Sequence, residues 1–138
     1  MINPNRSFTV YTVENLGAAK AFYSDHFGFV VAFENEWYLH LVTEAGVQVG
    51  FLLPDQPTQP SIFQKSYNGN GVIFSFEVED ADAAYADAIA NGLNIVLELR
   101  SEDWGQHHFC VEDPNGIHID IVQATDPTDE YQQGYVTE

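Results

Sequence analysis

The stretch Trp104–Gln123 reads WGQHHFCVEDPNGIHIDIVQ, and its pattern predicts a β-hairpin. Two strands, HHFCVE and IHIDIV, flank the turn DPNG. Proline presets the backbone for the second position of a turn, and Asn-Gly tolerates the left-handed conformations that reverse the chain. Alternation in the second strand places its isoleucines on one face and His118 and Asp120 on the other. One face therefore packs on apolar neighbours, and the other presents an imidazole and a carboxylate.

The hairpin ends the second of two similar segments. GVQVGFL, from Gly46, matches GIHIDIV, from Gly116, and Asn15 and Asp80 each precede an alanine-rich helical pattern as its N-cap. Each segment reads as strand, helix and three strands. A unit this small cannot bury both its helix stripe and its sheet face, so two units are expected to combine. The sequence predicts an α+β fold in which two βαβββ modules form a cupped mixed sheet with helices on its outer face.

Composition shifts divide the chain into four segments within one structural domain. We predict a first module over 1–53, a linker over 54–70, a second module over 71–123 and an acidic C-terminal tail over 124–138. The linker prediction rests on three prolines and three glutamines, which are typical of a connection. The polar tail is expected to be frayed or packed on a partner.

Charge and composition restrict the possible partners. The net charge is −17, from 21 acidic and 4 basic residues, which excludes a basic footprint for nucleic acid or for an anionic membrane surface. No apolar run reaches the roughly 18 residues that span a bilayer. The single cysteine, Cys110, permits no internal disulfide and suits the reducing cytoplasm. The acidic field either reflects solubility alone or attracts a cationic ligand.

Two motifs carry a family resemblance that covers nearly the whole chain up to about Gln123. VENLGAAKAFYSDHFGF, from Val13, and WGQHHFCVEDPNGIHID, from Trp104, resemble motifs of the vicinal oxygen chelate superfamily. That superfamily includes glyoxalase I, extradiol dioxygenases, fosfomycin resistance proteins and bleomycin resistance proteins. The Trp-Gly lead-in is most similar to the bleomycin resistance branch. The resemblance implies the paired-module fold and a homodimer.

The resemblance also bears on metal binding. In the metal enzymes of this superfamily the ligands come from the first and last strands of each half, at positions that correspond here to Phe8, Gly50, Ile73 and Asp120. Phenylalanine, glycine and isoleucine offer no side-chain donor, whereas a catalytic zinc or iron site needs about three protein ligands. The resemblance therefore implies a protein without a metal ion or another cofactor.

A metal site rebuilt from other residues is the alternative. His107 and His108 face opposite sides of their strand, so only one of them can reach a given site. His40, His108, His118 and Asp120 could together supply donors. The competing interpretation is that these side chains line a wet pocket, since none shows the ligand spacing of a known motif.

Aromatic and polar side chains on the face opposite the helices are the candidates for ligand binding. Trp104 lies in a loop, where related binding proteins stack a planar ligand, and an aromatic face also attracts cations. Strand parity assigns Trp37 instead to the helix-packed face. The predicted ligand-binding residues are Phe8, Tyr38, His40, Gln48, Trp104, His108, His118 and Asp120.

The favoured function is a metal-independent small-molecule binding protein of the glyoxalase/bleomycin resistance type. It would sequester a planar or cationic compound, such as an antibiotic, in an aromatic-lined cup. The alternative is a lyase, isomerase or ring-cleaving dioxygenase that depends on a divalent metal. A third possibility is a dimeric domain that has lost its ligand because Phe8 and Ile73 crowd the cup.

Overall fold

The computed structural model describes residues 1–136, and the chain divides into two compact units. The first unit is Met1–Asn70, and the second begins at Gly71. Each unit contains one βαβββ module with its own four-stranded mixed sheet. The predicted α+β fold with two repeated modules is therefore confirmed. No helix within residues 1–136 is long and apolar enough to cross a bilayer.

The two modules share one topology. The first has strand order β1-β4-β3-β2 and the second β5-β8-β7-β6, and in each the first strand runs parallel to the last. The first module consists of β1 (Thr9–Thr12), α1 (Leu16–Phe27), β2 (Val30–Glu34), β3 (Tyr38–Val42) and β4 (Gln48–Leu52). The second consists of β5 (Phe74–Glu77), α2 (Ala81–Ala90), β6 (Asn94–Glu102), β7 (Gln106–Glu112) and β8 (His118–Ala124).

The two long helices begin at the predicted N-caps. The Asn15 side chain accepts a hydrogen bond from the backbone N–H of Ala18 at 2.9 Å, and Asp80 accepts one from Ala83 at 3.0 Å. Such caps satisfy backbone donors that the first helical turn leaves without an intrahelical partner. Helix α1 ends at Gly28, whose φ of 70° is a left-handed conformation that glycine adopts without strain.

Helix α1 covers one face of the first sheet. The ring of Tyr23 is fully buried and packs 5.2 Å from the ring of Phe51, which in turn stacks on Tyr11. Leu39 and Leu41 are buried on the same side. Because successive strand residues alternate, the intervening side chains of β1, β3 and β4 occupy the face opposite α1.

Helix α2 covers one face of the second sheet in the same way. Tyr85 contacts the ring of Phe109 at 5.0 Å, and Val111 and Ile119 are fully buried. The hairpin between β7 and β8 has the predicted turn, in which the Asp113 carboxylate accepts the backbone N–H groups of two later residues, Asn115 and Ile117, at 2.8 and 2.9 Å. His108 and Asp120 therefore occupy the face opposite α2.

The predicted linker folds against the first strand of its own unit. The backbone N–H of Tyr67 donates to the carbonyl of Thr12 at 2.7 Å, and the hydroxyl of Ser66 donates to Glu14 at 2.6 Å. A short 3-10 helix, Ser61–Phe63, lies in the middle of the segment. Residues 54–70 therefore form a structured loop that contributes to the first unit.

The described part of the acidic tail makes hydrogen bonds as far as Tyr135, while Thr137 and Glu138 lie outside the described residues. The backbone N–H of Thr125 donates to Gly105 at 2.8 Å, and the hydroxyl of Tyr135 donates to the carbonyl of Trp104 at 2.8 Å. A short helix, α3 (Asp129–Gln132), follows β8. The described tail thus packs on the loop that carries Trp104.

The tail packs so closely on Gly105 that this residue has no room for a side chain. It has a φ of 106°, and a Cβ there would lie 2.9 Å from the carbonyl oxygen of Thr125. We expect Gly105→Ala to lower the free energy of unfolding by about 1–3 kcal/mol, because it combines backbone strain with a steric clash. Urea denaturation followed by circular dichroism measures the loss.

Gly134→Ala is the matched control, since its Cβ would lie at an ordinary 3.6 Å from the carbonyl oxygen of Tyr131. It should leave the midpoint of unfolding nearly unchanged. Equal effects of the two substitutions would contradict the close packing of the tail on Gly105.

Candidate functional site

A cavity of about 520 Å³ lies on the first unit, at the sheet face opposite α1. Its volume falls within the range of about 300–1,000 Å³ that is typical of small-molecule sites. The walls come from all four strands, from the turn before β3 and from the 54–70 loop. The lining residues are Val10, Thr12, Phe33, Asn35, Trp37, Tyr38, Leu52, Gln59 and Phe63.

Gly50 makes room for the tyrosine at the centre of this face. A Cβ at Gly50 would overlap the hydroxyl oxygen of Tyr38 and would lie 3.0 Å from both Tyr38 Cζ and Val10 Cγ2. The glycine has no left-handed φ, so the close approach of Tyr38 is the reason that a side chain is excluded. The ring of Tyr38 therefore lies across β4 at Gly50, a position that the resemblance aligns with a metal ligand.

A hydrogen-bonded series fixes Tyr38 in this place. Its hydroxyl lies 2.8 Å from Nδ1 of His40, and Nε2 of His40 lies 2.8 Å from Oε1 of Gln48. Because Oε1 only accepts, Nε2 carries a proton, and in the neutral ring Nδ1 accepts the proton of the Tyr38 hydroxyl. Burial raises the pKa of Tyr38, which keeps that hydroxyl protonated. The ring of Phe8 packs edge-on against His40 at 4.9 Å.

Four of the predicted binding residues, Phe8, Tyr38, His40 and Gln48, are thus brought together on one face. Only Tyr38 of these four lines the cavity directly. The other three support its orientation: His40 from the same strand, Gln48 from β4 and Phe8 from the residue before β1.

Asn35 is a lining residue that the sequence analysis missed. Its Oδ1 accepts the backbone N–H groups of Trp37 and Tyr38, both at 2.9 Å, which closes the turn before β3. No hydrogen bond to another described residue engages its amide nitrogen. The side chain therefore presents a fixed N–H donor at the cavity. The sequence Asn-Glu-Trp-Tyr carries the signal of such a turn, because asparagine side chains often bond the backbone two residues on.

The predicted placement of Trp37 on the helix-packed face is wrong. Strand β3 begins at Tyr38, so Trp37 lies in the preceding turn, where strand alternation does not apply. The indole lines the cavity, with its ring 6.3 Å from that of Tyr38.

The second unit carries a different arrangement on the face opposite its helix. Nε2 of His108 lies 2.8 Å from a carboxylate oxygen of Glu102, and Nδ1 lies 2.7 Å from one of Asp120. An imidazole can satisfy two carboxylates only when both of its nitrogens carry protons, so this geometry favours the imidazolium. His108 is 6% exposed, which shields the pair of ionic hydrogen bonds from water.

The pKa values of this cluster follow from its contacts. Burial lowers the pKa of His108, but the hydrogen bonds to Glu102 and Asp120 outweigh it, and the net direction is upward. The hydrogen bond from His108, followed by that from Arg100, holds the pKa of Glu102 below its usual value. Arg100 Nε lies 2.8 Å from Glu102. We name Arg100, Glu102, His108 and Asp120 the ionic network.

Glu102 was missed because β6 is irregular. Its pairing with β7 shifts register between Ile95 and Leu97 and again between Leu97 and Arg100. A register shift changes which side chains share a face, so simple alternation from the start of the strand fails at its end. Glu102 is the last residue of the strand, beyond both register shifts.

Cys110 lies beside Asp120 across the β7–β8 pair. Burial, with a contribution from the Asp120 charge, raises the pKa of its thiol to about 11. A thiol with this pKa remains protonated near neutral pH and is a poor nucleophile.

Trp104 and His118 occupy other parts of the second unit. The indole N–H of Trp104 donates to Gln106 at 2.9 Å, and its 41% exposed side chain contacts the ring of Tyr131 in the tail. Nε2 of His118 lies 3.5 Å from Glu112 near the hairpin turn. The structure thus separates the eight predicted residues into a set of four in each unit.

His107 faces α2, opposite to His108, as strand alternation predicts. Its Nδ1 lies 2.8 Å from the hydroxyl of Ser101, and its Nε2 lies 3.1 Å from the carboxylate of Asp82 in the first turn of α2. These contacts connect β6 and β7 to the helix, and we assign them to helix docking.

The residues at the four positions that the resemblance aligns with metal ligands do not fit a catalytic metal. Phe8, Gly50 and Ile73 offer no donor, and Asp120 is hydrogen-bonded to His108. Both ring nitrogens of His40 and of His108 are already hydrogen-bonded, so neither directs a free lone pair outward. Within residues 1–136, no group of three or more His, Cys, Asp and Glu side chains is arranged to hold a metal ion.

The ionic network makes a prediction about the pH dependence of stability. Because the pKa of His108 is raised in the folded protein, this residue contributes its full stabilisation at pH values below 6.5, the ordinary pKa of histidine. The contribution is lost as the pH rises through the folded-state pKa. Because the pKa of Glu102 is lowered in the folded protein, this residue contributes its full stabilisation at pH values above 4.5, the ordinary pKa of glutamate. The contribution is lost as the pH falls through the folded-state pKa. The stability difference between the native protein and His108→Gln should therefore be greatest between pH 4.5 and 6.5.

Urea denaturation of both proteins at several pH values from 4 to about 9 tests this expectation. His118→Gln is the control, because its half-exposed contact with Glu112 should contribute little at any pH. A difference for His108→Gln that stays constant from the acidic window to pH 9 would contradict the imidazolium assignment.

Comparisons with known proteins agree with this architecture. The sequence profile of the Glyoxalase/Bleomycin resistance protein/Dioxygenase superfamily matches residues 7–121. No curated protein matches the sequence. Among solved structures, a glyoxalase/bleomycin resistance protein/dioxygenase from Nocardioides aligns with a TM-score of 0.76 and 15% identity, over 91% of this chain and 87% of that one.

Two further structures show the same fold. A virulence protein from Salmonella typhimurium aligns with a TM-score of 0.73 and 19% identity, over 91% of this chain and 100% of its own. A lactoylglutathione lyase from Agrobacterium tumefaciens aligns with a TM-score of 0.71 and 18% identity, over 87% of this chain and 94% of its own. With a family profile that covers most of its length, the chain belongs to the glyoxalase/bleomycin resistance protein/dioxygenase superfamily.

Proposed function

We propose that this protein binds a planar small molecule in the cavity of its first unit and sequesters it unchanged, without a metal ion. The observation that carries the proposal is the cavity itself, about 520 Å³ in volume, with aromatic rings around it. Phe33, Trp37, Tyr38 and Phe63 supply these rings. Flat aromatic guests stack on such surfaces with large apolar contact and little loss of side-chain entropy. A planar antibiotic is one member of the class.

The chemistry of the lining favours binding over turnover. Tyr38 is the titratable side chain among the described lining residues, and burial raises its pKa away from the range of a general base at neutral pH. The residues at the family's metal positions supply no set of donors that would activate a substrate. These features support a binding protein over a metal-dependent lyase, isomerase or dioxygenase.

A cytoplasmic homodimer is part of the proposal. The free thiol of Cys110 suits a reducing compartment. The edge strand β2 exposes three apolar side chains, those of Val30, Val31 and Phe33, and an exposed apolar edge is a surface on which a second chain can pack.

Substitution of the two tryptophans tests the site. We expect Trp37→Ala to weaken the binding of a planar probe, such as naphthalene or 1(2H)-isoquinolinone, by about three- to tenfold, because one aromatic wall is lost. Trp104→Ala is the control and should change the affinity less than twofold, since Trp104 packs on Gln106 and the tail. Isothermal titration calorimetry measures both affinities, and circular dichroism verifies the fold.

Two results would overturn the proposal. One is the absence of binding for every planar probe in a panel that includes cationic antibiotics. The other is a stoichiometric divalent metal in the purified protein, found by elemental analysis, together with turnover that a chelator abolishes.

A further inference from the structure

We propose that Gln64 holds the loop over residues 54–70 as a preformed wall of the cavity, and that the affinity for a planar ligand depends on it. Gln64 is a positioning residue, because its neighbour Phe63 and the nearby Gln59 line the cavity while Gln64 is not among the described lining residues. The inference rests on the proposed binding function and adds to it the residue that prepares the site.

The side chain of Gln64 closes this loop. Its amide nitrogen donates to the backbone carbonyl oxygens of Gln56 and Gln59, both at 2.7 Å. The NH₂ group of a glutamine has two donors, so these two bonds use both of them. The bond to Gln59 joins the backbone of one lining residue to the residue that follows the other, Phe63. The relative positions of Gln59 and Phe63 therefore depend on this amide.

The backbone of Gln64 adds to the same closure. Its carbonyl oxygen accepts the N–H of Asp55 at 3.1 Å, and its N–H donates to Ser61 at 3.4 Å, at the end of the 3-10 helix. Apolar burial contributes little here, since Ile62 is 81% and Phe63 50% exposed. Hydrogen bonds to Gln64, rather than a hydrophobic contact, therefore hold the middle of the loop in place.

Asp55 shows that the loop is held in a conformation that few residues adopt freely. Its φ of 58° lies in the left-handed region, and within residues 1–136 it is the only non-glycine residue with a positive φ. Aspartate tolerates this region at a cost, and such conformations persist where the surrounding contacts hold them, often beside ligand sites. The bond from the Asp55 N–H to Gln64 is a contact of this kind. Without the amide bonds of Gln64, we expect the loop to relax toward other conformations.

A wall that is fixed before binding raises the affinity for a guest. The half-exposed ring of Phe63 faces no fully buried core, so a planar guest can stack on it only if the loop keeps the ring in place. When the loop is already ordered in the free protein, binding does not carry the entropy cost of ordering it. If the loop adopts the competent conformation only part of the time, the observed Kd rises by the inverse of that fraction.

Gln64→Met tests the inference, because methionine has a similar length and no N–H donor. We expect it to raise the Kd for 1(2H)-isoquinolinone about five- to tenfold, measured by calorimetry on the full chain. Gln64→Glu, which places a carboxylate beside the two carbonyl oxygens, should raise the Kd at least as much. Gln132→Met is the matched control, since the Gln132 amide also donates to a backbone carbonyl, that of Pro127 at 3.0 Å, but in the tail. It should change the Kd less than about twofold.

A double-mutant cycle separates a positioning role from a general loss of stability. In a Phe63→Ala background, Gln64→Met should change the Kd less than about twofold, because the ring that Gln64 positions is already gone. In a Trp37→Ala background it should keep its full effect, since Trp37 reaches the cavity from the turn before β3. Hydrogen exchange gives a second readout: in Gln64→Met the Asp55 amide should exchange faster, while the amides of β3 and β4 should not change.

Three outcomes would overturn the inference and leave the proposed function intact. The first is an unchanged Kd for Gln64→Met. The second is an equal effect of that substitution in the Phe63→Ala and Trp37→Ala backgrounds, which would mean that Gln64 does not act through the wall. The third is faster exchange throughout β3 and β4, which would assign the loss of affinity to unfolding of the whole unit. If the native protein binds no planar probe, the proposed function is wrong and this inference is wrong with it.

Discussion

The absence of a side chain at Gly50 is the constraint on which the first unit's site depends. A single methyl group there would meet the hydroxyl of Tyr38 and a methyl of Val10. Without it, the tyrosine lies flat across β4, reaches His40, and forms one wall of the cavity. The hydrogen bond from His40 to Gln48 then determines that the Tyr38 hydroxyl donates its proton to His40. The missing side chain at Gly50 therefore influences both the shape of the cavity and the hydrogen bonding of its tyrosine.

The second module has a charged side chain at the position equivalent to Gly50. By strand register, Asp120 corresponds to Gly50, and His108 corresponds to Tyr38. The carboxylate of Asp120 stands where Gly50 has no side chain, and the imidazole of His108 stands in the place of the Tyr38 phenol. The result is the ionic network, in which both ring N–H groups of the His108 imidazolium donate to carboxylates. The repeated fold is therefore one scaffold with two different interiors, a polar-edged cavity in one unit and a closed set of ion pairs in the other.

Sequence reasoning succeeded where a residue's role is set by its immediate neighbours. Helix caps at Asn15 and Asp80 and the opposed faces of His107 and His108 follow from local geometry. It failed where the chain departs from regular alternation. Trp37 lies one residue before its strand, Glu102 follows two register shifts, and Gln59 and Phe63 reach the cavity from a loop whose path no periodicity encodes. The fold was predictable, but Tyr38 alone of the nine residues that line the cavity was among the predicted ligand-binding residues.

The two interiors also differ at the positions that the resemblance aligns with metal ligands. Gly50 offers no side-chain donor, and the carboxylate of Asp120 is already hydrogen-bonded to His108. The missing side chain at Gly50 leaves space that the ring of Tyr38 occupies. The imidazolium of His108 compensates the charge of the Asp120 carboxylate, which would otherwise need an external cation. In both units, hydrogen bonds within the protein therefore engage the polar groups beside these positions, and the described cavity lies in the first unit.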